Sequence, residues 1–190
     1  EGNNLNTGRY AIGGSGTQTA ALAAGGSPPG NTGSNLSEEY NGTNWTEGNN
    51  LGTARYKTTQ FGLQTAAVAA GGDTGPANVN NVEHYDGTSW TAATVYPSTL
   101  TFAASAGSQT DGLVFLGDLG PGYGATTNTY DGTSWAASAT LANAGGNTEG
   151  DGTGALALAA SGGPSSGRTD GSEEFTGATT ALNYKSLSSS

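Results

Sequence analysis

The chain has 190 residues and a net charge of −10, because five basic residues are set against fifteen acidic ones. A chain this acidic is repelled by phosphate backbones and anionic lipid, which argues against nucleic-acid binding and membrane insertion. It contains no cysteine, which excludes disulfides and thiolate metal sites. Its 34 glycines, with Ser, Thr and Asn between patterned apolar residues, indicate many short strands joined by tight turns.

The sequence repeats with a period of about 45 residues. Segment 1–10 returns at 47–56, and segment 17–26 returns at 63–72. These matches divide the chain into four repeats, 1–46, 47–91, 92–136 and 137–180, followed by a tail, 181–190. An aromatic anchor and a second anchor five residues later recur in every copy, as Tyr40 and Trp45, Tyr85 and Trp90, Tyr130 and Trp135, and Phe175 and Thr180.

Each repeat is predicted to contain four short strands. The first is expected at 10–12 and 56–59, and the second is an Ala-rich segment that ends at Gly25-Gly26 or Gly71-Gly72. The third ends at the aromatic anchor and the fourth begins near the Trp. Asn41-Gly42 and its counterparts predict a type I′ hairpin between them, since both central residues of that turn need positive φ. Because Ala has poor β propensity, the second strand indicates close approach of another backbone.

The order of these residues resembles the kelch repeat, in which an apolar strand ending in Gly-Gly is followed by Tyr, Trp, Leu and Arg. Here those residues are Gly25-Gly26, Tyr40, Trp45, Leu51 and Arg55. The resemblance implies an all-β, β-propeller-like domain of four kelch-type blades. The chain departs from the family in its short Tyr-to-Trp spacing and in lacking the Arg in copies three and four.

Two questions of architecture stay open at this stage. Four blades either close alone, at the lower limit of known propellers, or form part of a larger ring. The tail 181–190 alternates apolar and polar residues, so it is either a closing strand or a strand that joins subunits.

The recurring aromatic and basic residues are predicted to be structural. The tryptophans Trp45, Trp90 and Trp135 occupy one repeat position, which favours packing between blades over sugar stacking. Arg9 and Arg55 also recur, and we expect them to tie carbonyls and carboxylates of neighbouring blades.

No catalytic, metal or cofactor site is predicted. His84 is the only histidine, and we expect it to be solvated. Glu38-Glu39 and Glu173-Glu174 are adjacent strand residues that point to opposite faces, so neither is an acid–base pair. The acidic loops at 149–152 and 170–174 lack the spacing of an EF-hand.

The candidate recognition surface is formed by the loops between the second and third strands, which differ in every copy and would gather on one face. Tyr123 is their main aromatic residue and the candidate for binding surface glycans, and Asn35 is the candidate glycosylation acceptor.

The leading hypothesis is a non-enzymatic structural or recognition module displayed outside cells. The residue sequence of the repeats resembles kelch-like repeats of bacteriophage tail or fibre proteins. This resemblance implies a virion or extracellular location, and it implies that the partners are further copies of the chain in a homo-oligomer, or neighbouring proteins of a virion or filament. The alternatives are a subunit of a bacterial extracellular filament or surface protein, and a kelch-type protein-interaction module.

Overall fold

The computed structural model describes residues 3–30, 33–119, 122–141, 145–146, 149–162 and 169–176. In this part of the chain, fifteen strands form four antiparallel sheets arranged as the blades of a β-propeller, in which each strand pairs with the next in sequence. The predicted all-β, four-bladed fold is confirmed. Over the same residues, no helix has the length and apolar character needed to cross a membrane.

The blades follow one another along the chain. Blade 1 contains β1 (Gly13–Thr17), β2 (Ala20–Ala24), β3 (Ser37–Tyr40) and β4 (Trp45–Glu47). Blade 2 contains β5 (Thr59–Leu63), β6 (Ala66–Ala70), β7 (Val82–Tyr85) and β8 (Trp90–Ala93). Blade 3 contains β9 (Ala104–Ser108), β10 (Asp111–Phe115), β11 (Thr127–Tyr130) and β12 (Trp135–Ala137). Blade 4 contains β13 (Glu149–Gly152), β14 (Leu156–Gly162) and β15 (Thr169–Thr176).

The first strand of each blade begins later than the sequence pattern predicted. Instead of 10–12 and 56–59, the strands start at Gly13 and Thr59. The reason is that Ala11 and Lys57 have φ values of 50° and 58°, which turn the chain before the strand begins. Tyr10 and Tyr56 therefore form only single bridges, to Ser27 and Asp73.

The turn between the third and fourth strands is also not the predicted type I′ turn. Tyr40 pairs with Trp45, which leaves a four-residue loop in which Gly42 but not Asn41 has positive φ. Asn41 Oδ1 instead accepts hydrogen bonds from the amides of Thr43 and Asn44, at 3.0 and 2.9 Å. Asp86 and Asp131 repeat this arrangement, so the Asn or Asp is selected for its side-chain acceptor rather than for its φ.

The core lies between blades. In the second strands of blades 2 and 3, alternate residues face the preceding and the following blade. Leu22 of blade 1 packs against Ala67 and Tyr85 of blade 2. Val68, on the opposite face of β6 from Ala67, packs against Val114 and Tyr130 of blade 3. The small alanines that face backward allow adjacent sheets to stack closely.

Two glutamines extend these interfaces. Gln64 of blade 2 donates to the carbonyl oxygens of Ala21 and Tyr40 in blade 1, at 2.9 and 2.8 Å. Gln109 of blade 3 donates in the same way to Ala67 and Tyr85 of blade 2, both at 3.0 Å. Each bond joins a side chain to a neighbouring backbone, so blades 1 to 3 are fixed in the same register, whereas Gly154 stands at this position in blade 4.

Some predicted features lie outside the described residues. They are Thr180, the tail 181–190 and residues 164–168 of the fourth variable loop.

Candidate functional site

A cavity of 380 Å³ lies where the first strands of the four blades meet. We call it the axial cavity. Each blade contributes the beginning of its first strand, and blades 1 to 3 also contribute the residues just before it. Its lining includes Ala11, Gly13 and Gly14 of blade 1, Lys57, Thr58 and Gln60 of blade 2, Phe102, Ala104 and Ser105 of blade 3, and Glu149 and Gly150 of blade 4.

The rim of the axial cavity holds a strained backbone. Ala11, Lys57 and Phe102 occupy the same repeat position and all have positive φ, at 50°, 58° and 53°. This conformation costs a non-glycine residue about 1–2 kcal/mol. The Lys57 amide donates to Ala11 O at 2.8 Å, and the Phe102 amide faces Lys57 O at 3.4 Å, so the strained residues link successive blades around the cavity. Strain of this kind is characteristic of functional sites.

Lys57 gives the rim its positive charge. Its Nζ lies 3.0 Å from Asp73 Oδ2, 4.7 Å from the Tyr56 ring centroid and 5.2 Å from the Phe102 ring centroid. Partial burial opposes the charge, but the Asp73 carboxylate outweighs it and raises the pKa of Lys57. Burial likewise opposes ionisation of Asp73, yet the Gly75 amide and Lys57 lower its pKa. The pair is therefore charged at neutral pH and surrounded by aromatic faces.

Two unpartnered polar atoms lie beside Gly13, in the wall of the axial cavity. Gln60 is 7% exposed, and its Nε2 donates to Ser15 Oγ at 2.8 Å, but its Oε1 has no hydrogen-bond partner in the described part of the chain. The hydroxyl of Thr58 is also buried without a partner there. Both residues line the axial cavity. A buried polar atom left unpaired is costly, but both atoms are closed off from solvent beside Gly13, so each side chain must turn before its free atom can meet a ligand in the cavity.

The sequence-predicted site residues lie elsewhere. The half-buried Tyr123 forms a bridge with Asp118, and its ring occupies the space beside Gly146 where a side chain would otherwise project. Asn35 is half-buried, and its carbonyl accepts from the Leu51 amide at 2.8 Å. Neither residue lines the axial cavity. Sequence reasoning missed Lys57 and Gln60, although the replacement of Ala11 by Lys57 and Phe102 at one repeat position was a visible signal.

The arginines do not contact the carboxylate of a neighbouring blade as expected. Arg55 Nη1 donates to Gly71 O and Asn81 O, at 2.6 and 2.8 Å, and Nη2 donates to Glu83 Oε1 at 2.9 Å, all within blade 2. Arg9 binds Glu38 of blade 1 in the same way. Only the backbone of Arg55 joins blades, because its carbonyl accepts from Gly26 and its amide donates to Ser34.

The Gly-Gly anchors occupy a backbone conformation that one repeat reaches without glycine. Gly25 and Gly71 have φ values of 68° and 65°, and Leu116 holds the same position with φ of 62°. Leu116 is 5% exposed and belongs to the core between blades 3 and 4, so its burial offsets the strain. The second glycine of each pair, Gly26 or Gly72, also has positive φ.

The Tyr and Trp anchors form ring pairs on the hairpins of blades 1 to 3, tilted in blades 1 and 2 and stacked in blade 3. Their ring centroids are 5.0 Å apart for Tyr40 and Trp45, 4.9 Å for Tyr85 and Trp90, and 4.4 Å for Tyr130 and Trp135. Trp90 and Trp135 also reach the preceding blade. Trp90 Nε1 lies 3.4 Å from Ser37 Oγ, and Trp135 Nε1 donates to Thr94 O at 3.0 Å.

His84 is not solvated as predicted. It is half-buried, its Nε2 lies 2.9 Å from the hydroxyl of Tyr130 in blade 3, and burial lowers its pKa. The third strand brings it to the blade 2–blade 3 interface, so it is a packing residue. No cluster of three or more His, Asp or Glu side chains suited to a metal is found among the residues the structure describes.

Comparison with known proteins gives a fold but no family. No protein-family profile matches the chain, and no curated protein matches it. A solved structure described as "Structure of YjhT" superposes with a TM-score of 0.68 at 12% sequence identity. The match covers 81% of this chain and 59% of that one, so it spans about three-fifths of that protein's length. At this identity the likeness shows the propeller fold alone.

Proposed function

We propose that this chain is a non-catalytic recognition module that binds a carbohydrate at the axial cavity. The observation that carries the proposal is a 380 Å³ cavity whose lining places the polar side chains of Thr58, Gln60 and Ser105 beside Phe102. That volume lies within the range of about 300–1,000 Å³ typical of small-molecule sites. Sugar hydroxyls form hydrogen bonds with hydroxyl and amide side chains of this kind, and Phe102 and Tyr56 offer apolar faces close by.

We further propose that the module is displayed outside cells, as part of a phage tail, fibre or other virion appendage. Two features support this location: the repeat sequence resembles kelch-like repeats of phage tail or fibre proteins, and the acidic, cysteine-free composition suits an extracellular protein. The alternative, a subunit of an extracellular filament or surface protein, gains support from the forward face of blade 4, which exposes Leu156 and Leu158.

The test is a glycan array of bacterial surface oligosaccharides, followed by calorimetry with the strongest hit. Thr58→Ala removes one acceptor and should weaken binding by about three- to tenfold, the worth of one hydrogen bond. Thr88→Ala is the matched control, because Thr88 is exposed in the β7–β8 loop. Tyr123→Ala should leave affinity unchanged.

Two results would contradict the proposal. Loss of binding in Tyr123→Ala with full binding in Thr58→Ala would move the site to the variable loop. An array with no hit above background would remove carbohydrate as the ligand class.

A further inference from the structure

We propose that the forward face of blade 4 binds blade 1 of a second copy of this chain, in the geometry that joins consecutive blades within one copy. Two chains then exchange equivalent contacts head to tail. This inference is independent of the carbohydrate site proposed above.

An apolar residue that is buried in blades 1 to 3 is exposed at the equivalent position of blade 4. The middle residue of the second strand is Leu22, Val68 or Leu113 in blades 1 to 3, and each is at most 1% exposed because the next blade covers it. The counterpart in blade 4, Leu158, is 45% exposed, and its neighbour Leu156 is 61% exposed. Among the described residues, no blade covers this face.

At the opposite end of the array, the backward face of blade 1 is left uncovered by the other blades that the structure describes. The backward-facing aromatic anchor is at most 5% exposed as Tyr85, Tyr130 and Phe175, but its counterpart Tyr40 is only half-buried. Blade 1 thus presents the surface that each other blade uses to cover its predecessor. The two exposed surfaces are the complementary halves of one repeated interface.

The third observation is a match of polar partners across these halves. Within the chain, Glu39 of blade 1 accepts from the Tyr85 hydroxyl of blade 2, and His84 bonds the Tyr130 hydroxyl of blade 3. The counterpart of Glu39 and His84 in blade 4 is the exposed Glu174, and the counterpart of the tyrosines in blade 1 is Tyr40. Glu174 of one copy is therefore placed to accept from Tyr40 of the next.

The glutamines give a fourth match. Gln64 and Gln109 each bond two carbonyls of the preceding blade. Gln18 occupies the same repeat position in blade 1 and is exposed. By the same pattern, its acceptors on a second copy are the carbonyls of Ala157 and Phe175, which line the open apolar face of blade 4 together with Leu156 and Leu158. A face that exposes two leucines beside these acceptors is typical of an interaction surface.

The test is the mass of the full 190-residue chain in solution by sedimentation velocity across micromolar concentrations. We expect a dimer, and we expect Leu158→Glu on blade 4 and Ala21→Glu on blade 1 each to return the mass to that of one chain, 18.6 kDa. Leu63→Glu is the matched control, because Leu63 is 55% exposed on a β5–β6 hairpin away from both faces. It should leave the dimer intact.

Mixing separates a broken interface from a broken fold. A Leu158→Glu chain retains an intact blade 1, and an Ala21→Glu chain retains an intact blade 4. Each variant alone should be monomeric, whereas an equimolar mixture should form a heterodimer through one intact interface. A monomeric wild-type chain overturns the proposal, because blade 4 would then meet no second copy. A dimer that both variants leave unchanged overturns it as well.

Discussion

The ion pairs of blades 1 and 2 show how single residues fix a blade. The side chains of Arg9 and Arg55 are fully buried, and each binds a buried glutamate and carbonyls of its own blade. In blade 3 both members are replaced together, since Leu100 stands for the arginine and Asn128 for the glutamate. Asn128 then donates to the Tyr96 hydroxyl at 2.6 Å. Losing both charges avoids leaving one of them buried and alone.

This arrangement predicts the cost of removing one charge or both. Arg55→Leu should destabilise the fold by about 3–5 kcal/mol, because it leaves the Glu83 carboxylate buried without its partner. The double variant Arg55→Leu/Glu83→Asn copies blade 3 and should recover about 1–3 kcal/mol, since the uncompensated charge is gone. Urea unfolding measures both. A double variant less stable than Arg55→Leu would show that the amides of Gly52 and Thr53, which Glu83 also accepts from, dominate its role.

The sequence predicts residues of this kind only in part. Recurrence marked Arg55 as structural, but the placement of its partner Glu83 in the same blade needed the strand register. Lys57 escaped prediction because residues at its repeat position do not recur, and the repeat pattern drew attention to what recurs. Its position at the axial cavity depends on a positive φ that no local sequence signal requires of a lysine.

At the scale of elements, the hairpins between third and fourth strands were placed correctly and their turn type was not. The pairing of Tyr40 with Trp45 follows from strand spacing, which the repeat displays. The turn geometry depends on whether Asn41 satisfies its loop through φ or through its side chain, and Asn-Gly permits either solution. The first strands were misplaced for a similar reason, since the turn at residue 57 has no Gly or Pro to mark it.

The same hairpins give a matched pair of tryptophans. Trp90→Ala should cost about 3–5 kcal/mol, because its ring packs against both Tyr85 and the blade 1 core. Trp45→Ala should cost less, about 1–2 kcal/mol in the monomer, because, among the aromatic rings that the structure describes, the ring of Trp45 contacts only that of Tyr40 at the uncovered face of blade 1. Chemical unfolding of the two variants provides the comparison. Equal losses would mean that the ring pair alone, and not the contact with the preceding blade, sets the value of the tryptophan.

For the whole molecule, the period of 45 residues was sufficient to predict the propeller class, because each repeat holds one supersecondary unit that must stack on its neighbours. The axial cavity was beyond sequence reasoning. Its lining comes from residues about 45 positions apart in four repeats, and the strands that hold them were placed three residues too early. A site of this type cannot be predicted from sequence when its residues lie far apart along the chain and the strands that hold them are placed in the wrong register.

The array should not be equally stable along its length. Blades 2 and 3 are covered on both faces, whereas the forward face of blade 4 exposes Leu156 and Leu158. Amide hydrogen exchange of the dilute protein should therefore be slowest in β6 and β10 and much faster in β14, because local opening follows the number of buried apolar contacts. Mass spectrometry of peptides from each strand measures this. Equal protection in all four blades would indicate a single cooperative unit with no weak end.

The arginine–glutamate ion pairs and the glutamine hydrogen bonds behave differently when a repeat is duplicated. Each arginine–glutamate pair lies inside one repeat, so a duplicated repeat carries both partners with it. Each glutamine bond crosses between repeats, but its acceptors are main-chain carbonyls that every copy possesses whatever its side chains. Duplication of a repeat that has its own arginine, glutamate and glutamine therefore brings every side chain that these bonds need, and blade 4, with Gly154 at the glutamine position, shows that a joint can also form without one.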